Sequence, residues 1–263
     1  MTEKPIAIVT GASSGIGAVF AEQLAERGYD LVLVARRAER LEQLASQLKQ
    51  KFGANVECRP TDLSDQAAIT AFADELAARP HVDMLVNSAG FGTNGFFAKV
   101  DANRIAQELN VDMVALVLLT RAVLPGMLAR NRGDIINVSS VGGFNAAPYF
   151  ATYSGIKAGV INFTESIYAE VRNSGVRVQV LCPGPVPTEF NEVADVGDEM
   201  PTPDFMVQSA EECVAGSLRD LEKGKPVSVP QTACRWIFNI IKRLPLSMRL
   251  AFVSSMVPKE DAA

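Results

Sequence analysis

Tyr153 and Lys157 are the two residues whose spacing most directly predicts chemistry. They lie four positions apart in a stretch with helical character, so their side chains share one face, one turn apart. A nearby ammonium favours phenolate over phenol and lowers the pKa of a tyrosine from about 10. The spacing therefore predicts that Tyr153 acts as a general acid or base. By chance, the same spacing also occurs in two surface side chains of an amphipathic helix.

Polar residues also follow several of the apolar runs that precede this pair. Ser140 comes after the run 134–138, the segment 87–90 (Asn-Ser-Ala-Gly) follows another run, and Asp62 follows a third. Ligands of open parallel sheets bind outside the carboxyl ends of the strands. A hydroxyl at that edge can donate a hydrogen bond to a carbonyl oxygen as negative charge develops on it. We therefore expect these residues to share one site.

Glycines dominate the segment Thr10–Gly17, which separates the first apolar run from the first helical pattern. Glycine allows a sharp turn and a close approach of the backbone to a pyrophosphate, and the following helix N-terminus supplies free N–H groups. The spacing is G-x-x-x-G-x-G, whereas the long-chain dinucleotide-binding domains have G-x-G-x-x-G. The segment predicts a phosphate-binding loop, the alternative being an ordinary glycine turn before a helix.

Short apolar runs alternate with longer helical patterns through most of the chain. Strands are predicted over 5–10, 31–34, 55–59, 84–86, 134–138, 176–182 and 226–229. Helices are predicted over 16–27, 38–51, 65–78, 111–130, 154–173 and 210–223. This alternation indicates an α/β fold with a single doubly wound parallel β-sheet of the Rossmann-like type and helices on both faces. Residues 1–230 form one predicted domain, and 231–263 are an extension rather than a second domain.

Composition narrows the class of protein. The 263 residues are 48% hydrophobic and 21% charged, which excludes a chain that is mainly disordered. The net charge of −5 argues against a nucleic-acid partner. The four cysteines are widely spaced and His81 is the single histidine, so no metal site is expected. With no basic, apolar leader and no run of 18 apolar residues, we expect a cytoplasmic protein without a membrane-spanning helix.

Together these motifs resemble those of the short-chain dehydrogenases/reductases over residues 4–230. The matching positions are Gly11, Gly15 and Gly17 in the glycine loop, Asn87–Gly90 for the family's N-N-A-G segment, Asn110, Ser140, Tyr153 and Lys157 as catalytic residues, and Pro183–Thr188 for its P-G-x-V-x-T segment. The one departure is Ser88, which stands where the family has a second asparagine.

The resemblance implies hydride transfer between a nicotinamide cofactor and a carbonyl or secondary alcohol. Tyr153 would be the general acid/base, and Ser140 would hold the reacting oxygen. Lys157 would lower the pKa of Tyr153 and bind the nicotinamide ribose, while Asn110 would hold a water that relays protons to Lys157. The alternative is a cofactor-sensing binding protein on the same fold; such proteins typically lack the tyrosine or the lysine, and both are present here.

The resemblance also implies a set of cofactor contacts, to which the end of the second strand adds a preference for NADP. That strand ends in Ala35-Arg36-Arg37 without the acidic residue that NAD-binding sheets use to bind ribose hydroxyls. A guanidinium binds a 2′-phosphate instead, unless the arginines only solvate the loop. The expected contacts are Gly11, Ser13, Ser14, Gly15, Ile16, Gly17, Arg36, Arg37, Asp62, Leu63, Asn87, Ala89, Gly90, Tyr153, Lys157, Pro183, Gly184, Val186 and Thr188.

Three aromatic residues between the catalytic serine and tyrosine indicate an apolar small-molecule substrate. They are Phe144, Tyr149 and Phe150, which we expect to bind substrate together with Ser140 and Tyr153. The proline-rich segment 183–203 is expected to be a loop that closes over the substrate and excludes water.

The segment 231–258 carries four basic residues and no acidic one. Trp236, Ile240 and Leu244 recur at helical spacing, with Lys242 and Arg243 between them. We favour packing of this segment on its own domain or on a neighbouring subunit. A basic amphipathic helix can also lie on an anionic membrane, which is the alternative. The helices 111–130 and 154–173 match the family's usual dimer faces, which implies a homodimer or homotetramer.

Overall fold

The computed structural model describes residues 4–194, 203–241 and 243–255. Seven parallel strands form one sheet in the order β3-β2-β1-β4-β5-β6-β7. The strands are β1 (Ile6–Thr10), β2 (Asp30–Ala35), β3 (Val56–Pro60), β4 (Met84–Asn87), β5 (Gly133–Val138), β6 (Val176–Leu181) and β7 (Val227–Ser228). The chain builds outward from β1 to β3, returns to β4 on the other side of β1, and then continues to β7. The predicted doubly wound sheet is confirmed.

Helices cover both faces of this sheet. In chain order they are α1 (Gly15–Glu26), α2 (Ala38–Phe52), α3 (Gln66–Ala78), α4 (Ala102–Leu109), α5 (Leu116–Ala129), α6 (Ala151–Val171), α7 (Phe190–Val193), α8 (Ala210–Glu222), α9 (Thr232–Ile241) and α10 (Leu246–Ser255). Alternate residues of β1 serve the two faces: Ala7 and Val9 pack with α1 and α8, whereas Ile8 packs with α3 and α5. Both faces are therefore apolar, as the continuous apolar runs predict.

The helix predicted over 111–130 begins nine residues earlier than expected. Asp101 caps the N-terminus of α4, since its side chain accepts a hydrogen bond from Asn103 N at 3.1 Å. The turn Asn110–Ala115 has π-helical geometry and joins α4 to α5 without a break. The polar composition of α4 hides it from an apolar-periodicity search. The wide turn also changes which residues face the site, because a π-turn adds a residue to the helical repeat.

The continuous helix Ala102–Ala129 is long and apolar enough to span a membrane by length and composition alone. The sequence analysis did not identify such a helix because it searched only for uninterrupted runs of apolar residues. On the inner side of the helix, Leu119, Val123 and Met127 are buried against the sheet. A core helix satisfies the same length and composition criteria, so the helix is poor support for a membrane span.

Helix α9 packs on the domain through one side only. Cys234 and Ile241 of α9 are buried, while Trp236 and Ile240 are 66% and 57% exposed. Leu244 is half-buried, and Lys242 lies outside the described residues. The exposed apolar side of α9 is available to a neighbouring subunit or to a membrane, so both contacts stay predictions. The homodimer or homotetramer also stays a prediction.

A buried amide network joins the sheet to its helices below the ligand-binding edge. Asn87 Nδ2 donates to Asn137 Oδ1 at 2.9 Å and to Thr120 Oγ1 at 3.1 Å. Asn137 Nδ2 donates to Thr164 Oγ1 at 3.0 Å, which connects β5 to α6. Polar groups buried in this way need their partners, since an unpaired one costs about 1–3 kcal/mol.

We expect Asn137→Ala to lower the free energy of unfolding by about 2 kcal/mol, because it leaves partners of the network unpaired and opens a small cavity. The thermal midpoint should fall by roughly 5 °C when followed by circular dichroism. Asn162→Ala, at an exposed position of α6, is the matched control and should stay within about 0.5 kcal/mol of the unmodified protein. Equal stability of the two variants would contradict the role of the network.

Candidate active site

The glycine loop between β1 and α1 has a conformation that larger residues cannot share. Gly11 and Gly15 have φ values of 68° and 54°, in the left-handed region. A Cβ on Gly17 would lie 2.3 Å from the carbonyl oxygen of Gly11. Ser14 precedes α1 but makes no capping hydrogen bond with its side chain, so the first amides of the helix stay free for an anion. The loop fits the pyrophosphate of a dinucleotide.

The end of β4 is tied to this loop. Thr10 Oγ1 accepts hydrogen bonds from the amides of Ser88 and Ala89, both at 3.0 Å. A Cβ on Gly11 would lie 2.8 Å from Ala89 Cα, so the two backbones touch. The structure thus brings Ala89 against the glycine loop, whereas Gly90 lies beside Asp112 and Lys157.

The Asn87 side chain does not lie at this edge. Its amide is committed to the buried network with Asn137 and Thr120, and its nitrogen also points to the carbonyl of Leu116 at 3.4 Å. A cofactor contact of Asn87 would therefore have to use its backbone, and it stays a prediction. The side chain connects β4 to β5 and α5 instead.

Arg37 stands beside the glycine loop. Its Nη2 donates to Ser13 Oγ and Ser14 Oγ, both at 2.9 Å. Its Nη1 lies 2.9 Å from a carboxylate oxygen of Glu189, which sequence reasoning did not identify. Hydrogen bonds from Arg40 and Arg37 lower the pKa of Glu189 to about 2.

Arg36 and Asp62 lie near each other at the end of the neighbouring strands. Arg36 is exposed, and its positive charge reaches Asp62. Partial burial opposes ionisation of Asp62, but hydrogen bonds from Ser64 and the charge of Arg36 outweigh it and lower the pKa of Asp62. The neighbouring Leu63 packs in a small apolar cluster with Ile69. The polar atoms of Asp62 are thus held at the sheet edge.

The segment Pro183–Thr188 crosses the same edge from β6. The carbonyl oxygen of Pro183 accepts a hydrogen bond from Val141 N at 3.0 Å. A Cβ on Gly15 would lie 3.1 Å from Thr188 Cγ2, so Thr188 lies on the glycine loop. Val186 packs on the hydrophobic core, and so does Ile16 of α1. Gly184 lies against Cys234 of α9, where a Cβ would come within 2.6 Å of the sulfur.

Ser140 and Tyr153 meet at the carboxyl end of β5. The Ser140 hydroxyl accepts a hydrogen bond from Gly142 N at 3.0 Å and makes a hydrogen bond with the Tyr153 phenol. Lys157 Nζ lies 5.5 Å from the centre of the Tyr153 ring. Ser139 Oγ donates to the carbonyl of Lys157 at 2.7 Å, which fixes α6 against β5. The structure therefore brings together the three predicted residues of the reaction centre.

The pKa of Tyr153 differs from the expectation. Burial raises it, Lys157 and the hydrogen bond with Ser140 lower it, and the carboxyl groups of Asp112 and Glu108 raise it again. The net direction is upward, so the expected lowering by Lys157 is outweighed. The main cause is burial of the phenol, and the carboxyl groups of Asp112 and Glu108, which sequence reasoning did not place near the lysine, add to it.

Asp112, and not Asn110, contacts Lys157. Asn110 Nδ2 donates to the carbonyl of Ser64 at 2.8 Å, on the side of the helix facing α3. Asp112 Oδ1 lies 2.7 Å from Lys157 Nζ. The water-mediated relay expected of Asn110 stays a prediction, and the direct ionic partner of Lys157 is Asp112. Because the π-turn changes the helical repeat, residue 112 faces the lysine.

Two aromatic rings are neighbours of Tyr153, and the ring of Phe190 is the nearer one. Its centre lies 5.3 Å from that of Tyr153, and the centre of Phe150 lies at 6.2 Å. Phe144 instead packs on Phe238 of α9 and lines a cavity of about 570 Å³ whose described lining contains neither Ser140 nor Tyr153. Tyr149 has a φ of 65°, and its carbonyl accepts a hydrogen bond from Gly95 N.

The residues expected to bind substrate therefore lie in two different places. Phe150 lies beside the reaction centre, whereas Phe144 is turned toward the C-terminal extension. Phe190 belongs to α7 in the segment 183–203, of which 195–202 lie outside the described residues. A covering role was expected of this segment, but only the structure identifies the residue that contacts Tyr153.

We expect Gly17→Ala to weaken nicotinamide cofactor binding by more than about 10-fold, since the new methyl group displaces the Gly11 carbonyl. Titration of intrinsic fluorescence with cofactor measures the dissociation constant. Gly155→Ala on α6 is the control, because nothing lies within 4 Å of its new Cβ. Unchanged affinity of Gly17→Ala would contradict the assigned loop.

Comparisons with known proteins agree with this geometry. The family model described as short chain dehydrogenase matches residues 5–197. The very-long-chain 3-oxoacyl-CoA reductase of Bos taurus is 30% identical over 260 residues, which cover 95% of this chain and 82% of the relative.

Two solved structures resemble the whole chain. A short-chain dehydrogenase from Sphingobium yanoikuyae in complex with NADPH has a TM-score of 0.82 at 32% identity and covers 98% of both chains. A short-chain dehydrogenase/reductase from Burkholderia phymatum in complex with NAD has a TM-score of 0.80 at 26% identity, covering 99% of this chain and 98% of its own. The fold thus has counterparts among solved short-chain dehydrogenases, and the chain belongs to the short-chain dehydrogenase/reductase family of oxidoreductases.

Proposed function

We propose that the protein transfers a hydride between NADP(H) and a carbonyl or secondary alcohol of an apolar substrate. The observation that carries the proposal is the hydrogen-bonded pair Ser140–Tyr153 beside the ammonium of Lys157, at the carboxyl edge of the sheet. A cofactor-sensing protein does not require a hydroxyl pair aimed at a reacting oxygen.

The residues around the cleft fit a dinucleotide. The free amides of α1 and the glycine loop would hold the pyrophosphate, and Arg37 with Ser13 and Ser14 would hold the 2′-phosphate. When bound, a nicotinamide cofactor supplies or accepts the hydride. Thr188 lies on the glycine loop, where it would contact the cofactor.

The chain's own residues manage the proton and the oxygen. In the reductive direction, Tyr153 donates its phenolic proton to the carbonyl oxygen, and the Ser140 hydroxyl donates a hydrogen bond to the same oxygen. Lys157 stabilises the phenolate that remains. Phe150 and Phe190 cover the tyrosine and exclude water.

Replacing the proton donor should separate binding from turnover. We expect Tyr153→Phe to lower kcat by about 10²–10⁴-fold, because the general acid is lost, while the dissociation constant for NADPH changes less than about twofold. NADPH oxidation with a panel of bulky ketones and 3-oxoacyl thioesters provides the measurement. Near-normal turnover of the variant would refute the assignment, and an unmodified protein that binds NADPH but reduces no member of the panel would favour the sensing alternative.

We propose NADP(H) over NAD(H). The cluster of Arg37, Ser13 and Ser14 supports this choice, as does the absence of an acidic residue from the end of β2. The two neighbouring structures contain NADPH in one case and NAD in the other, so the preference depends on this cluster.

Direct titration tests the preference. Charge-assisted hydrogen bonds contribute about 1.5–3 kcal/mol, so NADPH should bind roughly 10- to 100-fold more tightly than NADH. The double variant Ala35→Asp with Arg36→Ile should shift the preference toward NADH, since a carboxylate at this position repels the 2′-phosphate and binds ribose hydroxyls. Equal affinities, or tighter NADH, in the unmodified protein would overturn the proposal.

We also propose that the substrate is apolar around its reacting carbon. Phe150 and Phe190 flank Tyr153, and the similar bovine enzyme acts on very-long-chain 3-oxoacyl-CoA by its name. An acyl chain or a ketone with two bulky groups suits such a site.

A further inference from the structure

Arg104 of α4 joins three parts of the chain at the edge of the cleft. Its Nη2 donates to the carbonyl of Val193, at the end of α7, at 2.6 Å and lies 3.5 Å from the carbonyl of Gly92. Its guanidinium also lies over the ring of Phe91, 4.2 Å from the ring centre. Phe91 is fixed in turn, because its amide donates to Asp112 Oδ2 at 3.0 Å. One side chain therefore connects α4, the loop after β4 and α7.

Helix α7 depends on contacts from outside it. It has only four residues, Phe190–Val193, and a helix this short is not stable by itself. Ala194 N donates to the carbonyl of Phe190 at 2.8 Å and so closes the one turn of the helix. Arg104 supplies a donor to the carbonyl of Val193, one of those that a helix end leaves without a partner inside the helix. The contact with Val193 therefore also fixes Phe190, three residues earlier.

The ring of Phe190 has a defined place beside the reacting tyrosine. The centres of the Phe190 and Tyr153 rings are 5.3 Å apart. The backbone of Gly92 is also close, since a Cβ there would lie 2.9 Å from Phe190 Cζ and 3.5 Å from Tyr153 Cδ2. An aromatic ring in this place can contact the apolar groups of a bound substrate and keep water from the reacting oxygen. Its position depends on where α7 is held.

We propose that Arg104 is a positioning residue: by holding α7, it keeps the ring of Phe190 beside Tyr153, and this ring sets the affinity for an apolar substrate. The inference rests on the proposed function. Arg104 acts through the ring and leaves the reaction centre itself unchanged. The ring contacts the apolar part of the substrate before and during hydride transfer alike. Displacement of the ring should therefore raise KM and change kcat little.

A second route from Arg104 to the reaction centre would run through charge. Burial raises the pKa of Glu108, one turn after Arg104 in α4, to about 7, while the positive charge of Arg104 opposes the increase. Burial also raises the pKa of Tyr153, and the Glu108 carboxyl adds to that increase. By this route, loss of Arg104 would change the acid strength of the tyrosine and hence kcat. The split between KM and kcat therefore distinguishes positioning from charge.

The experiment uses the full chain with NADPH and neutral bulky ketones, so that attraction of an anionic substrate to Arg104 has no part in the result. Arg104→Gln should raise KM by about 10-fold, the size expected for loss of an aromatic contact to the substrate, and should leave kcat within about threefold. The dissociation constant for NADPH should change less than about twofold.

Arg130→Gln is the matched control. Arg130 Nη2 also donates to a backbone carbonyl at 2.6 Å, that of Val82, which precedes β4 at the opposite edge of the sheet. The control variant loses a bond of the same kind and should change neither KM nor kcat. An unchanged KM in Arg104→Gln would overturn the proposal, and a change of kcat alone would favour the route through Glu108.

A double-variant cycle tests whether Arg104 acts through Phe190. Phe190→Ala should raise KM by a similar factor, and adding Arg104→Gln to it should raise KM by less than about twofold further. Independent effects would multiply to about 100-fold, and this result would overturn the proposal.

A further measurement does not depend on turnover. The amides of Val193 and Ala194 are hydrogen-bonded within the turn of α7, and hydrogen exchange followed by mass spectrometry reports how often these bonds open. Without cofactor, Arg104→Gln should speed exchange in the peptide that contains them by roughly fivefold or more, and Arg130→Gln should not. Unchanged exchange in Arg104→Gln would overturn the hold on α7, whatever the substrate. If exchange rises but the unmodified protein reduces no carbonyl compound, the proposed function fails and, with it, the role of Arg104 in substrate binding.

Discussion

The close approach of β1 and β4 is the constraint on which the rest of the site depends. Thr10 binds two amides of the segment after β4, and Gly11 leaves no space for a side chain against Ala89. This contact places Gly90 beside Asp112 and Lys157, where a Cβ would lie 2.5 Å from Asp112 Oδ1. The phosphate-binding loop and the catalytic lysine are thereby positioned by the same crossing of strands. A displacement of β4 would alter both ends of the cleft together.

Electrostatics at the centre of the site result from opposed groups rather than from the lysine alone. Two unit charges about 4 Å apart interact by about 4 kcal/mol at an effective dielectric constant of about 20. A carboxylate in contact with Lys157 therefore offsets much of what the ammonium does for the Tyr153 phenolate. Burial is the largest cause of the upward direction of the Tyr153 pKa, and the two carboxyl groups add to it against the lysine. The carboxyl groups near Lys157 therefore affect the acid strength of Tyr153 in addition to burial and to the ammonium itself.

Local patterns predicted the elements and the motifs, but not the contacts that depend on distant residues. Apolar runs and helical periodicity located all seven strands within about two residues, and motif spacing identified Ser140, Tyr153 and Lys157. The wide turn that brings Asp112, and not Asn110, to Lys157 has no apolar signature. Asn87 matched a motif, yet its amide is used inside the sheet. The approach of Phe190 to Tyr153 depends on how a loop returns over the sheet, which spacing does not encode.

In the segment that follows β6, three consecutive residues contact both ends of the cleft. Thr188 lies on the glycine loop, Glu189 binds Arg37 and Arg40, and Phe190 covers Tyr153. The carbonyl of Val193 accepts a hydrogen bond from Arg104 at 2.6 Å. Ion pairs between exposed side chains contribute only about 0–1 kcal/mol, so Glu189 can leave the arginines at little cost. A phosphate that bound Arg37 would compete with Glu189 for the same donors. Three consecutive residues thus contact, in turn, the glycine loop, the arginines beside it and the reacting tyrosine.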